Sequence, residues 1–309
     1  MAVKNGTAVT EFILLGLTSQ PRMKLLLFVL CSAAYMITLC GNLTIVVLIR
    51  VDSRLHTPMY YFVTHLSLID ICYTTSALPQ MLVNLLSDRG TISFVGCVGQ
   101  LYINVAMGVA ECFLLAVMSY DRYVAVCYPL HYGAAMAPDL CRRLAGACWV
   151  SGFFNAVVLT TVTFLPPYCG PNQINHFFCE APAVLQLACA DTAPTEAVIY
   201  VSGVIILMIP FGLILVSYLQ ILATVVHSTA SRHRAFSTCA SHLAVVSLFY
   251  GTISFMYMRP RSSRSLEQDK KFSVLYAVVT PMLNPMIYSL RNKDVKGAML
   301  KVLGGTEGS

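Results

Sequence analysis

Residues 25–49 read LLLFVLCSAAYMITLCGNLTIVVLI, a stretch without one charged side chain, closed by Lys24 on one side and Arg50 on the other. About 20 apolar residues in helical conformation span a bilayer's hydrocarbon core, so this run is long enough to cross. Working outward, the same pattern recurs. Positions 58–87 hold a single charge, Asp70, and positions 90–120 hold only Glu111. The uncharged run 144–163 stops short of Pro166-Pro167, and 197–226, 235–258 and 272–290 complete the set. Hydrophobic residues make up 57% of the 309 positions and charged residues 11%, against about 25% charged in a soluble domain. The runs do not alternate, which excludes a membrane β-barrel. The expectation is an all-α membrane protein, a seven-transmembrane-helix bundle forming a single domain over 1–309. Its spans are expected at about 25–49, 58–86, 93–127, 141–164, 196–227, 235–259 and 270–290, after an outer segment 1–24. A short amphipathic helix should follow at about 292–301.

Seven spans place the two ends of the chain on opposite sides. The intervals on the side of the carboxyl terminus, with Arg122 at their border, carry 11 of the 20 Lys and Arg residues; the other side carries 9. Positive charge favours the cytoplasm, so the N-terminus is expected outside. Asn5-Gly6-Thr7 agrees, being a glycosylation acceptor on an outer segment. The apolar run 12–17 is too short for a cleavable signal core, so the first span must act as its own insertion signal. The net charge of +6 comes from basic residues flanking helices and implies no nucleic-acid partner.

Twelve cysteines sort by compartment. Cys31, Cys40, Cys72, Cys112, Cys148 and Cys239 fall within spans, where cysteine is a small apolar side chain, and Cys127 and Cys141 face the reducing cytosol. Cys97, Cys169, Cys179 and Cys189 lie outside. Four cysteines in an oxidising compartment suggest two disulfides, with three connectivities open. No spacing suggests zinc.

Five motifs stand in order on these helices. Leu55-His56-Thr57-Pro58-Met59-Tyr60-Tyr61-Phe62 opens the second, and Met118-Ser119-Tyr120-Asp121-Arg122-Tyr123-Val124-Ala125-Val126-Cys127 ends the third. Ser217-Tyr218 ends the fifth, and Arg234-Ala235-Phe236-Ser237-Thr238-Cys239-Ala240-Ser241-His242-Leu243 opens the sixth. Pro281-Met282-Leu283-Asn284-Pro285-Met286-Ile287-Tyr288 closes the seventh, while Gly41-Asn42 falls in the first. Together they resemble the odorant receptors among the rhodopsin-like (class A) G-protein-coupled receptors, from about residue 12 to 301. Pro129, His131 and Tyr132 resemble the airborne-odorant branch. The sixth span lacks a proline between 235 and 258, so a proline kink is not its hinge; Gly251 is the softest point. Its basic start (Arg232, His233, Arg234) offers Arg122 no acidic partner.

The resemblance implies a receptor, not an enzyme, that binds a small volatile odorant and activates a stimulatory, olfactory-type heterotrimeric G protein to raise cAMP. It implies a plasma-membrane protein of olfactory cilia, and disulfides Cys97–Cys179 and Cys169–Cys189. The activation switch maps onto Asp121, Arg122, Tyr123, Tyr218, His242, Asn284, Pro285 and Tyr288.

Helical rise of about 1.5 Å per residue converts spacing to depth. Asp70 lies roughly 18 Å beyond Pro58, and Glu111 roughly 16 Å above Arg122, so the two carboxyls share a level near the midplane. Two such groups in low dielectric need a cation or a shared proton, and by resemblance they hold Na⁺ or a proton. The plainer reading is two protonated acids acting as interhelical hydrogen-bond glue. By the same arithmetic and family analogy, the ligand chamber in the outer half is lined by Asn104, Val105 and Gly108, then Ser202 and Ile206. Tyr250, Ile253, Ser254 and Tyr257 join them from the sixth span, and Val274 and Ala277 from the seventh. This lining has no charged anchor and suits a small, neutral, mostly hydrophobic ligand with one hydrogen-bonding group. A transporter would show internal repeats, and an intramembrane enzyme would need a partner for the Asp70/Glu111 pair. Neither explains the Asp-Arg-Tyr and Asn-Pro-x-x-Tyr motifs.

Overall fold

The computed structural model describes residues 9–87, 89–169, 172–226, 229–257, 266–290 and 293–304. Asn5, and the side chains of Tyr257 and of residues 232–234 and 259–264, lie outside the described residues. The long helices are α1 Pro21–Val51, α2 Pro58–Leu86, α3 Phe94–Cys127, α4 Pro138–Phe164, α5 Ala193–Val226, α6 Thr229–Tyr257, α7 at 266–290 and α8 Lys293–Gly304. Helix α1 starts ahead of its apolar run because Pro21 at its first turn is preset for a helix start, and Arg22 and Lys24 ride on that turn. Among the described residues, α1 to α5 are long and apolar enough to cross a bilayer, and α6 adds the apolar run Cys239–Phe255. Apolar side chains such as Leu30, Val150, Phe154 and Leu213 point outward, as lipid contact requires.

Helix α3 is the axis of the bundle. It packs against α2, α4, α5 and α6, and Ala110, Leu115 and Met118 on it are fully buried. Its closest neighbour is α4, where Gly152 sits against the Ala106 carbonyl and the Ala110 methyl. Helix α7 closes the ring against α1, α2 and α6.

The seventh span, expected at 270–290, is not one continuous α-helix. Leu266–Val274 passes into a π turn at Leu275–Val279 before Thr280–Leu290 resumes as α-helix. Proline at 281 has no N–H for the Ala277 carbonyl and its ring crowds that oxygen. The preceding turn widens, and the Thr280 amide donates back to the Leu275 carbonyl. Pro285 likewise leaves the Pro281 carbonyl without a helical partner, and Asn42 Nδ2 of α1 donates to it at 3.3 Å. Gly41 lets this happen: a β-carbon there would stand 3.1 Å from Pro285 Cγ.

The N-terminal face carries a small sheet that the all-α expectation omitted. Strand β1 (Glu11–Leu14) pairs antiparallel with β2 (Thr91–Ser93) and parallel with β3 (Gln173–Ile174). Phe12 and Leu14 point inward from β1, burying against Ile92, Ile174 and Val184. The run 12–17, read only as too short for a signal core, is thus the central strand and lead-in of this cap. Disulfides join Cys97 to Cys179 and Cys169 to Cys189. Cys141, expected to face the cytosol, is buried at the foot of α4 and donates to the Met136 carbonyl.

Candidate functional site

A cavity enclosing about 1030 Å³ of atom-free space, its mouth included, opens between α3, α5, α6 and α7 under the loop that precedes α5. Asn104, Val105 and Gly108 of α3, Ile206 of α5 and Ile253 of α6 line it, as the sequence indicates. Five expected residues do not. Ser202 turns its hydroxyl onto the Val198 carbonyl of its own helix, 2.7 Å away, while Ile199, Gly203 and Ile206, spaced at one face, meet the cavity. Tyr250 points below it and donates to the Cys112 carbonyl at 3.1 Å; Phe249 and Ile253 stand there instead of Tyr250 and Ser254. Val274 and Ala277 follow from a straight seventh helix, and the π turn replaces them with Tyr276.

The roof was missed because it is a loop without periodicity. Phe178, Cys179, Glu180 and Ala181 cover the chamber. Gln100 of α3 fixes this roof: its Oε1 accepts from the Cys179 amide at 2.7 Å, and its Nε2 donates to the Ser76 carbonyl at 2.9 Å. Glu180 corrects the expectation that no carboxylate stands at ligand level. It is 6% exposed and accepts from Tyr276 Oη at 3.3 Å and Ser273 Oγ at 3.4 Å. Beside it His176 is buried between Phe177 and Phe178. Its Nδ1 accepts from the Phe178 amide at 3.4 Å, and its Nε2 lies 3.2 Å from both Ser273 Oγ and Glu180 Oε2. Burial and then the charge of Lys270 push this imidazole down to about 3. Both outweigh the opposing bond with the Phe178 backbone, so the ring is neutral and its contact with Glu180 is a hydrogen bond.

On α3 the cavity continues down past Gly108 to Glu111 and Cys112. Here the midplane carboxyls meet. Asn284 Nδ2 donates to both Asp70 oxygens at 3.1 Å. Asp70 and Glu111 are close enough to interact electrostatically. Among the described residues, Glu111 Oε1, Asn284 Oδ1 and Tyr288 Oη have no hydrogen-bond partner. Carboxyl and amide oxygens of this kind fit a hard cation such as Na⁺.

At the C-terminal face Arg122 is buried and bonded to Asp121 Oδ2 at 2.5 Å. Asp121 Oδ1 accepts from Tyr132 Oη at 2.7 Å. Burial, and then the Asp121 charge, push the Tyr132 phenol above its usual range, so it remains a donor. Tyr132 served the sequence reading only as a branch marker; here it closes a triad with Asp121 and Arg122. Tyr218 Oη pairs with His242 Nδ1. Tyr123 stands apart, edge-on to Tyr128. Pro285 packs on Gly41. Helix α8 turns Val295 and Ala298 inward and leaves Lys296, Leu300 and Lys301 exposed.

Comparison with known proteins agrees across the whole chain. The family model described as olfactory receptor matches residues 30–305. The chain is 53% identical to the olfactory receptor-like protein OLF3 of Canis lupus familiaris over 310 residues, covering 100% of this chain and 98% of that one. It is 53% identical to olfactory receptor 2F1 of Homo sapiens, covering 98% and 96%, and 49% identical to olfactory receptor 2G3 of Homo sapiens, covering 99% of each.

Proposed function

The chain belongs to the olfactory receptor family, an odorant-detecting, G-protein-coupled membrane receptor, and on that premise we propose that its ligand is a small volatile compound bound in the chamber between α3, α5 and α6. One observation carries this reading: a chamber walled by apolar side chains such as Leu101, Val105, Ile206 and Leu207, with few polar groups, roofed by a disulfide-anchored loop. Such a site suits an uncharged hydrophobic guest.

The G protein in this reading is of the stimulatory olfactory type, raising cAMP. The N-terminus lies outside the plasma membrane of olfactory cilia, as the basic residues near the C-terminal face favour. Asp70, Glu111 and Asn284 hold either Na⁺ or a shared proton in the resting state. Bound Na⁺ would supply charge compensation for the two carboxyls. Ligand shifts the population toward a state in which Tyr218 and Tyr288 approach Arg122 and a cleft opens at the C-terminal face. It need supply only its differential affinity for that state.

Gly108 provides the test, because a β-carbon there meets nothing within 4 Å. Gly108→Leu therefore starts its side chain in open space at the chamber wall. In cells expressing the receptor with a cAMP reporter, a volatile that activates the wild type should fail on Gly108→Leu, and Arg122→Ala should abolish signalling. Unchanged dose–response curves for Gly108→Leu would refute the chamber.

A further inference from the structure

We propose that Glu111, at the floor of the chamber, is the polar anchor for the ligand, and that it makes the receptor selective for compounds carrying a hydroxyl group and closed to carboxylates. The proposal rests on the chamber being the odorant site.

Glu111 was expected to serve the midplane pair with Asp70, as an ion or proton site or as interhelical hydrogen-bond glue. The structure gives it a second outlook. It lines the chamber, it is 5% exposed, and its Oε1 has no hydrogen-bond partner among the described residues. Asn284 spends its amide on both Asp70 oxygens, so Glu111 Oε1 is without a donor until a guest brings one. A buried polar atom without a partner is costly, and a ligand that satisfies it recovers that cost on binding.

The surroundings choose the guest's chemistry. A carboxyl oxygen accepts when ionised and can donate when protonated. A hydroxyl both donates and accepts, so it matches Glu111 in either state; an ether only accepts. A carboxylate would meet Glu111 with Asp70 behind it, and would pass Glu180 at the mouth. No Lys, Arg or His side chain lines the chamber among the described residues, so its charge would have no counterpart. An ammonium group would have to leave water for walls that are otherwise apolar, and Glu180 already accepts from Tyr276 and Ser273. Two turns above the floor, Asn104 Oδ1 accepts from Ser76 while its Nδ2 is unpartnered. A second oxygen on the guest has a donor there.

The test uses matched ligand sets on linear, terpenoid and aromatic skeletons, each as alcohol, methyl ether, aldehyde, carboxylate and primary amine. Dose–response curves are recorded on the tagged full-length receptor with a cAMP reporter, and surface level is read on the same cells. The alcohol should be the most potent member of each responding set and the carboxylate silent. Glu111→Leu should cost the alcohol about tenfold or more in potency, the scale of one lost bond to a charged or polar partner, and move the ether by less than about twofold. Glu111→Gln, which keeps an acceptor oxygen, should retain most of the alcohol's potency. Where Glu111→Leu fails to reach the surface, Glu111→Met takes its place. A carboxylate or amine as potent as the alcohol, silence of every alcohol, or equal shifts of alcohol and ether would overturn the assignment. Gly108→Leu separates the two levels. If it blocks responses while Glu111→Leu is neutral, only the anchor is wrong; if it blocks nothing, the chamber itself is not the site.

Discussion

The Tyr218 hydroxyl lies 2.6 Å from Nδ1 of His242, tying the inner half of α5 to α6, while Arg122 is occupied by Asp121. Among the described residues neither tyrosine of the switch, Tyr218 or Tyr288, bonds Arg122, and His242 Nε2 is itself without a partner. In the proposed switch the tie between α5 and α6 stands on the resting side of the equilibrium.

His242→Phe keeps the ring and removes the tie. A neutral hydrogen bond contributes about 1 kcal/mol net, so ligand-independent cAMP should rise by about fivefold, provided the tie is absent from the active state. Tyr218→Phe should instead lower the maximal response, because it also removes the hydroxyl that the proposed active state brings to Arg122. A His242→Phe receptor with wild-type basal signal at equal surface level would show that the bond is neutral to the switch.

Acid should loosen the roof. His176 in the folded loop takes a proton only near pH 3, whereas a free imidazole takes one near pH 6.5. Between these values the unfolded loop binds a proton and the folded loop does not, so stability is full above about pH 6.5 and drains as pH falls toward about 3. By about pH 5 the loss reaches up to about 2 kcal/mol. Hydrogen exchange across residues 172–180 of purified receptor should accelerate over that interval, and His176→Asn should flatten the dependence. Equal acceleration in wild type and variant would assign it to other groups.

Much of this architecture is legible in the sequence because charge is legible. Asp70 and Glu111 stand alone in long apolar runs, and counting helical rise from Pro58 and Arg122 puts them at one level, where they interact electrostatically and Asn284 meets Asp70. The Gly41-Asn42 pair could be placed in a helix but not explained; its reason is a carbonyl freed by a proline 243 positions later than Asn42. What escaped has no period to read. Glu180, Gln100 and Tyr132 act through loops or across helices, so nothing local says which way they face. The π turn escaped because its cause, Pro281, lies beyond it, and every α7 lining residue counted through a straight helix was displaced.

Sodium should stabilise the purified receptor if Asp70 and Glu111 hold it. A ligand binding only the folded state adds RT ln(1 + [L]/Kd), so Tm in sodium chloride should exceed Tm in an organic-cation chloride of equal ionic strength. Asp70→Asn with Glu111→Gln should abolish the difference, and with it any sodium dependence of basal signalling. A wild-type Tm indifferent to the cation leaves the shared proton as the resting arrangement.

Helix α3 meets α4 where Gly152 has no side chain to hold them apart. A β-carbon at this position would stand 2.4 Å from the Ala106 carbonyl oxygen and 3.1 Å from the Ala110 β-carbon. The first of these partners is backbone, so no rotamer change relieves the clash and the helices must separate. Overpacking of this kind costs about 1–3 kcal/mol. Gly152→Ala should therefore lower Tm by several degrees, and because Leu159 and Thr163 of α4 face the chamber, it should also shift odorant potency. Gly146, on the same helix, would meet nothing within 4 Å, so Gly146→Ala serves as the control and should leave both readouts near wild type. If the two variants melt alike, close packing of α3 on α4 is not what Gly152 provides.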